Sequence, residues 1–158
     1  MATVTSPLAD DARKITGEAL QGSLVDLIDL SLTAKQAHWN LTGRNFRSLH
    51  LQLDQVVTLA RQQMDIMAER AIAIGVNPDG RAATIARDTE IEQLDAGYIT
   101  DEKVIITFTG ILAAINKRFR ERLGSVAEAD PVTENLLEDT LHELEKMHWM
   151  FQVQMQKY

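Results

Sequence analysis

A chain of 158 residues that is 45% hydrophobic, 25% charged and only 5% aromatic has room for one hydrophobic core and is too short for two comfortable domains. Its formal charge of −7 argues against a nucleic-acid binder held by overall charge, which needs a positive footprint to displace counterions from phosphates. With 0 cysteines it has no disulfide, thiolate nucleophile, zinc-thiolate site or iron-sulfur cluster, so any metal is held by histidines and carboxylates.

The N-terminal stretch MATVTSPLADDARK lacks a basic region followed by an apolar one, the mark of a secretory signal. The most apolar run, Val104 to Ile115, is interrupted by Thr and Gly and falls well short of the roughly 18 residues that span a bilayer. The expectation is a cytoplasmic protein without a membrane partner, with residues 1–9 as a tail and 10–158 as one domain.

A helical period predicts a first helix from about Asp10 to Trp39, with Leu20, Leu24, Leu27, Ser31, Ala34 and His38 on one stripe. Asn40 to Asn45 reads as a turn, with Gly43 in a left-handed conformation. A second helix runs from about Arg47 to Ile74 and stops at Gly75-Val-Asn-Pro-Asp-Gly80. Residues 81–100 form a long crossover with a short helix near Ala82 to Arg87. Thr100 or Asp101 caps a third helix striped by Val104, Phe108, Ile111, Ile115, Phe119 and Leu123. Gly124 to Asp130 is the next break. Pro131 opens a fourth helix striped by Leu137, Leu141, Leu144, His148, Phe151 and Met155. The fold class is therefore all-α, a ferritin-like four-helix bundle with a short extra helix in the long crossover between helices 2 and 3.

The chemistry concentrates on the second helix. With His50 at 0° on a wheel of about 100° per residue, Asp54 falls near 40°, Asp65 near 60° and Glu69 near 100°. These four ligand-type side chains share one arc beside the apolar face. His50/Asp54 and Asp65/Glu69 are each i,i+4 pairs, but Asp54 and Asp65 lie about 16 Å apart along the axis, so one chain cannot close both pairs around one ion. Two copies packed antiparallel about a two-fold axis bring the His50/Asp54 end of one against the Asp65/Glu69 end of the other, giving two identical sites. His38, ending the first helix, completes each. Two imidazoles with several carboxylates suit Fe(II) better than Ca(II), and zinc or manganese can occupy the same ligands.

Lys35, His38, Trp39, Asn40, Gly43, Phe46, Leu49, His50 and Asp54, followed by Asp65, Ala68, Glu69 and Arg70, make up a pattern that resembles the Dps family, the DNA-binding proteins from starved cells. Gly124, the Asp130-Pro-Val-Thr133 run and the Glu145 to Trp149 region extend the resemblance over essentially the whole chain. It implies a shell of twelve subunits in which Fe(II) is oxidised, preferably by hydrogen peroxide, and stored as a ferric mineral, protecting the cell from oxidative damage. The family's ferroxidase ligands map onto His38, His50 and Asp54 of one subunit and Asp65 and Glu69 of its neighbour. Trp39 matches a tryptophan beside that centre, either intercepting radicals or electrons or anchoring an interface. Asp130, Glu134 and Glu138 match acidic residues that line three-fold pores admitting iron, and equally suit a helix N-terminus.

Members of the family that bind DNA often do so through Lys-rich tails. Residues 1–14 here hold Asp10, Asp11, Arg13 and Lys14, and Lys157-Tyr158 ends the sequence, so weak or absent DNA binding is expected. The alternative function is a DNA-binding, nucleoid-compacting shell in which metal oxidation is secondary. A further alternative places a di-iron centre inside each bundle, where Glu145 and His148 form a Glu-x-x-His motif; no second copy exists to complete it. His148, on the apolar stripe, is expected as a hydrogen-bonded core histidine. His142 lies off that stripe, and Met64, Met147, Met150 and Met155 need only pack.

Overall fold

A computed structural model of the chain describes residues 4–155; the first three residues of the expected tail, and Lys157-Tyr158, lie outside the described residues. Helix α1 spans Asp10–Asn40, α2 Phe46–Ala73, the short α3 Ala82–Asp88, α4 Asp101–Val126 and α5 Pro131–Gln152, followed by a 3-10 turn at Val153–Met155. α1 packs chiefly on α2 and α4 chiefly on α5, while α1 also meets α4 and α2 meets α5, which closes a ring of four helices. This is the ferritin-like bundle, with α3 riding on α1.

Local sequence explains the boundaries. Asp10 and Asp11 lie in the first turn of α1, where acids complement the helix dipole. The Thr100 hydroxyl accepts from the Lys103 amide and caps α4. Asp130 caps α5 by accepting from the Val132 amide, with Pro131 at the first helical position. One expected boundary is displaced: Gly124 does not break α4, which continues to Val126 before the turn to Asp130. The helix tolerates it because Val126 is fully buried and anchors one further turn.

The stripes converge on one core. Leu27, Leu30, Leu49, Leu53, Met67, Phe108, Leu112, Ile115, Phe119 and Phe151 are all fully buried. Each such side chain contributes roughly 1.5–3 kcal/mol relative to an exposed one. Phe108 and Phe151 tie α4 to α5, with ring centroids 5.6 Å apart. His148 departs from expectation. It is half-buried and makes no hydrogen bond among the described residues, because Met147 and Phe151 take the inward phase of α5 and leave His148 at the groove beside α4.

A feature of one pole was not expected. Leu41–Thr42 (β1) pairs in parallel with Ile99–Thr100 (β2), joining the α1–α2 turn to the end of the crossover. Beside it the Asn45 backbone and side-chain N–H groups both donate to the Asp101 carboxylate, at 3.0 and 3.1 Å. Gly43 has a φ of +126°, positive as expected though beyond the left-handed helical region, and a Cβ there would lie 2.4 Å from Asp101 Cγ. Both the conformation and the close approach require glycine. This clasp sets the angle at which α1 and α2 leave the turn, and so what their facing side chains meet.

Candidate metal centre

His38 in the last turns of α1 and His50 in the second turn of α2 lie opposite one another across the α1–α2 groove. His38 Nδ1–H donates to the His50 carbonyl at 2.8 Å, and His50 Nδ1–H donates to the His38 carbonyl at 3.0 Å. A carbonyl oxygen can only accept, so Nδ1 carries the donated proton in both rings, and the tautomer this fixes for a neutral ring has its lone pair on Nε2. The rings stack with centroids 3.6 Å apart, and Phe46 stacks on His50 at 5.0 Å. Two imidazoles are thus held in parallel, each with its metal-binding nitrogen unspent, by the kind of backbone partner that supports histidine ligands.

Asp54 joins them from the next turn of α2. Its Oδ1 lies 3.5 Å from His38 Nδ1 and accepts from Lys35 Nζ at 2.5 Å. The Lys35 hydrogen bond holds the Asp54 carboxyl below the ordinary carboxylate range, and the Lys35 charge acts in the same direction, against a weaker effect of burial. Asp54 is therefore ionised well into the acid range. Its second oxygen accepts no hydrogen bond among the described residues.

The structure brings His38, His50 and Asp54 together and leaves Asp65 and Glu69 apart from them. The latter two stand exposed on α2, roughly three turns further along. Among the described residues, no group of three or more His, Asp or Glu side chains of one chain is placed to hold a metal ion. Lys35 belongs to the pattern read from the sequence but had no role there; the structure makes it the hydrogen-bond donor to Asp54. Its position, three residues before His38 on the same helix face, carried the signal.

Comparison with known proteins bears on the family and the fold. Residues 17–158 match the ferritin-like domain family. The fold superposes on the structure of Dps92 from Deinococcus radiodurans with a TM-score of 0.91, at 34% identity, covering 94% of this chain and 90% of that one. The chain belongs to the ferritin-like domain family, in its Dps branch. A tetragonal form of Dps from Mycobacterium smegmatis is similar over 99% of this chain and 95% of its own, with a TM-score of 0.93 at 26% identity. Among curated proteins, DNA protection during starvation protein 2 of D. radiodurans is 34% identical over 154 residues. Those residues are 98% of this chain and 64% of that protein, so this chain spans less than two thirds of that Dps relative.

The other candidate residues of this Dps chain sort by position. Trp39 follows His38 and is 67% exposed, with its indole in a cleft on the outside of α1. Asp130 is only 3% exposed. It accepts from Arg70 Nη2 at 2.6 Å and from the Thr133 hydroxyl at 2.5 Å, so its charge serves a clamp between the end of α2 and the start of α5. Burial pushes the Asp130 carboxyl up, but Arg70 and Thr133 more than offset this and hold it below the ordinary range. Glu138 is exposed and Glu134 half-buried along α5. Glu145 is paired with Arg120 in the α4–α5 groove, away from His38 and His50. No helix of the described residues is long and apolar enough to cross a membrane.

Proposed function

We propose that this protein is an iron-sequestering ferroxidase, oxidising Fe(II) at centres shared by two chains and storing the ferric product inside a shell of twelve. The observation that carries the reading is the reciprocal His38–His50 lock, which spends Nδ1 of both rings and leaves both Nε2 atoms unspent, with the Asp54 carboxylate in the next turn of α2. Such a half-site binds a divalent cation weakly until further carboxylates arrive. Asp65 and Glu69 of a two-fold related copy supply them, by the antiparallel register of α2.

Fe(II) is the substrate, and zinc can substitute at the same ligands. In the reaction with hydrogen peroxide, two Fe(II) each give up one electron, the O–O bond breaks and two protons convert the oxygens to water. The protein's part is to gather the two reductants and the oxidant in one place. The imidazoles and carboxylates supply ligands that survive peroxide, in a chain with 0 cysteines to lose. Glu134 and Glu138 at the three-fold axes admit iron to the shell. Twelve chains of −7 carry a charge of about −84, which draws Fe(II) and repels phosphate, so DNA binding is weak or absent at physiological salt. That charge favours the iron-oxidising reading over the nucleoid-compacting one.

The test is to load the protein with Fe(II) anaerobically, then add peroxide while following ferric absorbance and particle mass. Rapid oxidation by a particle of twelve chains, abolished in His38→Ala or Asp65→Ala, is the expected result. A monomer, or variants that oxidise iron as fast as the parent, would refute it.

A further inference from the structure

Among the described residues three carboxylates are buried: Asp26, Asp29 and Asp130, at 2%, 5% and 3% exposure. Two of them have arginine partners. Asp26 accepts from Arg118 and Arg122 at 2.6 Å each, and Asp130 accepts from Arg70. Asp29, one turn beyond Asp26 on α1, has only neutral donors, the Thr89 hydroxyl at 2.5 Å and the Gln93 amide at 3.0 Å. Both donate to Oδ2. Oδ1 accepts no hydrogen bond among the described residues, and it is not sealed from solvent as orphaned buried atoms are.

Oδ1 is free where a cleft of about 440 Å³ opens between α1 and the crossover, lined by Asp29, Leu32, Thr33, Trp39, Gln93 and Leu94. Thr33 is one turn after Asp29 on the same face. It is only 5% exposed, yet its hydroxyl makes no hydrogen bond among the described residues. Gln93, which also lines the cleft, spends its amide N–H on Asp29 and on the Ile91 carbonyl, and its amide oxygen makes no hydrogen bond among the described residues. A buried carboxylate without a cation is costly, and in proteins such charges are paired or coordinate metals.

We propose that this cleft beneath Trp39 binds a hydrated divalent cation through Asp29 Oδ1, Thr33 Oγ1 and Gln93 Oε1. The all-oxygen donor set selects hard cations, and the volume leaves room for the waters such ions retain. The site is separate from His38, His50 and Asp54 and does not depend on their role. One carboxylate makes it a weak site, filled and emptied readily.

Mn(II) alone is the probe, titrated into the full-length protein with the free ion followed by electron paramagnetic resonance and Trp39 emission followed for paramagnetic quenching. Asp29→Asn keeps an oxygen for Thr89 and Gln93 while deleting the charge, and Thr33→Val removes only the hydroxyl. Asp29→Asn is expected to weaken one class of Mn(II) site by at least roughly tenfold, the lower end of what loss of a supporting partner does to a metal site. Thr33→Val weakens it less, and His50→Ala/Asp65→Asn leaves it in place with its quenching of Trp39. Mn(II) binding and quenching unchanged by Asp29→Asn, or lost instead in His50→Ala/Asp65→Asn, would overturn the proposal, as would no binding at all. Iron oxidation can fail without affecting this result, so the two readings stand or fall separately.

Discussion

Replacing Arg70 by leucine removes the guanidinium from the clamp that joins the end of α2 to the start of α5. Its Nη2 donates to Asp130 at 2.6 Å and its Nε to the Thr133 hydroxyl at 3.0 Å, with the Asp130 side chain 4% exposed. Removing one partner of a buried pair typically costs about 3–5 kcal/mol. Asp130 keeps the Val132 amide, the Thr133 hydroxyl and the favourable end of the α5 dipole, so the lower figure, about 3 kcal/mol, applies. For a chain of this length that lowers the thermal midpoint by roughly 6–12 °C, compared at equal protein concentration.

The pH dependence carries the sharper sign. In the parent the Asp130 carboxyl is depressed, so its stabilisation is complete above the ordinary carboxylate range and is lost as pH falls through the depressed value. In Arg70→Leu burial acts without an opposing cation, the carboxyl rises above the ordinary value, and the variant regains stability as pH falls through that raised value. Parent and variant therefore differ most near neutral pH and converge toward about pH 4, where carboxylates begin to protonate. Differential scanning fluorimetry at both pH values measures this. A constant gap, or one below about 1 kcal/mol throughout, the scale of an exposed ion pair, would refute the reasoning.

Gly43→Ala places a Cβ against the Asp101 carboxylate at a φ of +126°, and should cost about 1–3 kcal/mol of strain, read as a lower thermal midpoint with weaker iron binding. Lys35→Met removes the hydrogen bond that depresses Asp54, so the Asp54 carbon resonance should titrate at higher pH, and the acid limb of iron uptake should move up with it. An unshifted titration would show that Lys35 does not govern Asp54. Plasmid DNA should not be retarded in a gel at neutral pH and about 0.15 M salt, where the Debye length is near 8 Å and only close-range phosphate contacts survive. Clear retardation would reassign the function toward DNA.

The helices were legible because burial imposes a period on apolar residues, and α1, α2 and α3 begin and end within a residue or two of the expected Asp10 to Trp39, Arg47 to Ile74 and Ala82 to Arg87. The arc of His50, Asp54, Asp65 and Glu69 was legible for the same reason. The His38–His50 lock was not, since it depends on where two helices stand after a turn set by Gly43, Asp101 and a two-residue strand pairing, none of which a helical wheel contains. Asp130 shows the converse limit. Its spacing with Glu134 and Glu138 suggests a shared face, but the N-cap position turns its carboxylate inward to Arg70. Asp29 is one of several acids on α1, and only the fold reveals that arginines reach Asp26 and not Asp29.

Whether each centre draws on two chains is decided by co-assembly. His38→Ala spoils the histidine half and Asp65→Ala the carboxylate half, so shells of either variant alone should oxidise Fe(II) slowly. Shells refolded from an equal mixture contain two-fold pairs in which the intact halves face each other across the axis, and should recover about a quarter of the parent rate, since half the pairs are mixed and each restores one of its two centres. Mixed shells no faster than their parents would contradict a centre built from two chains.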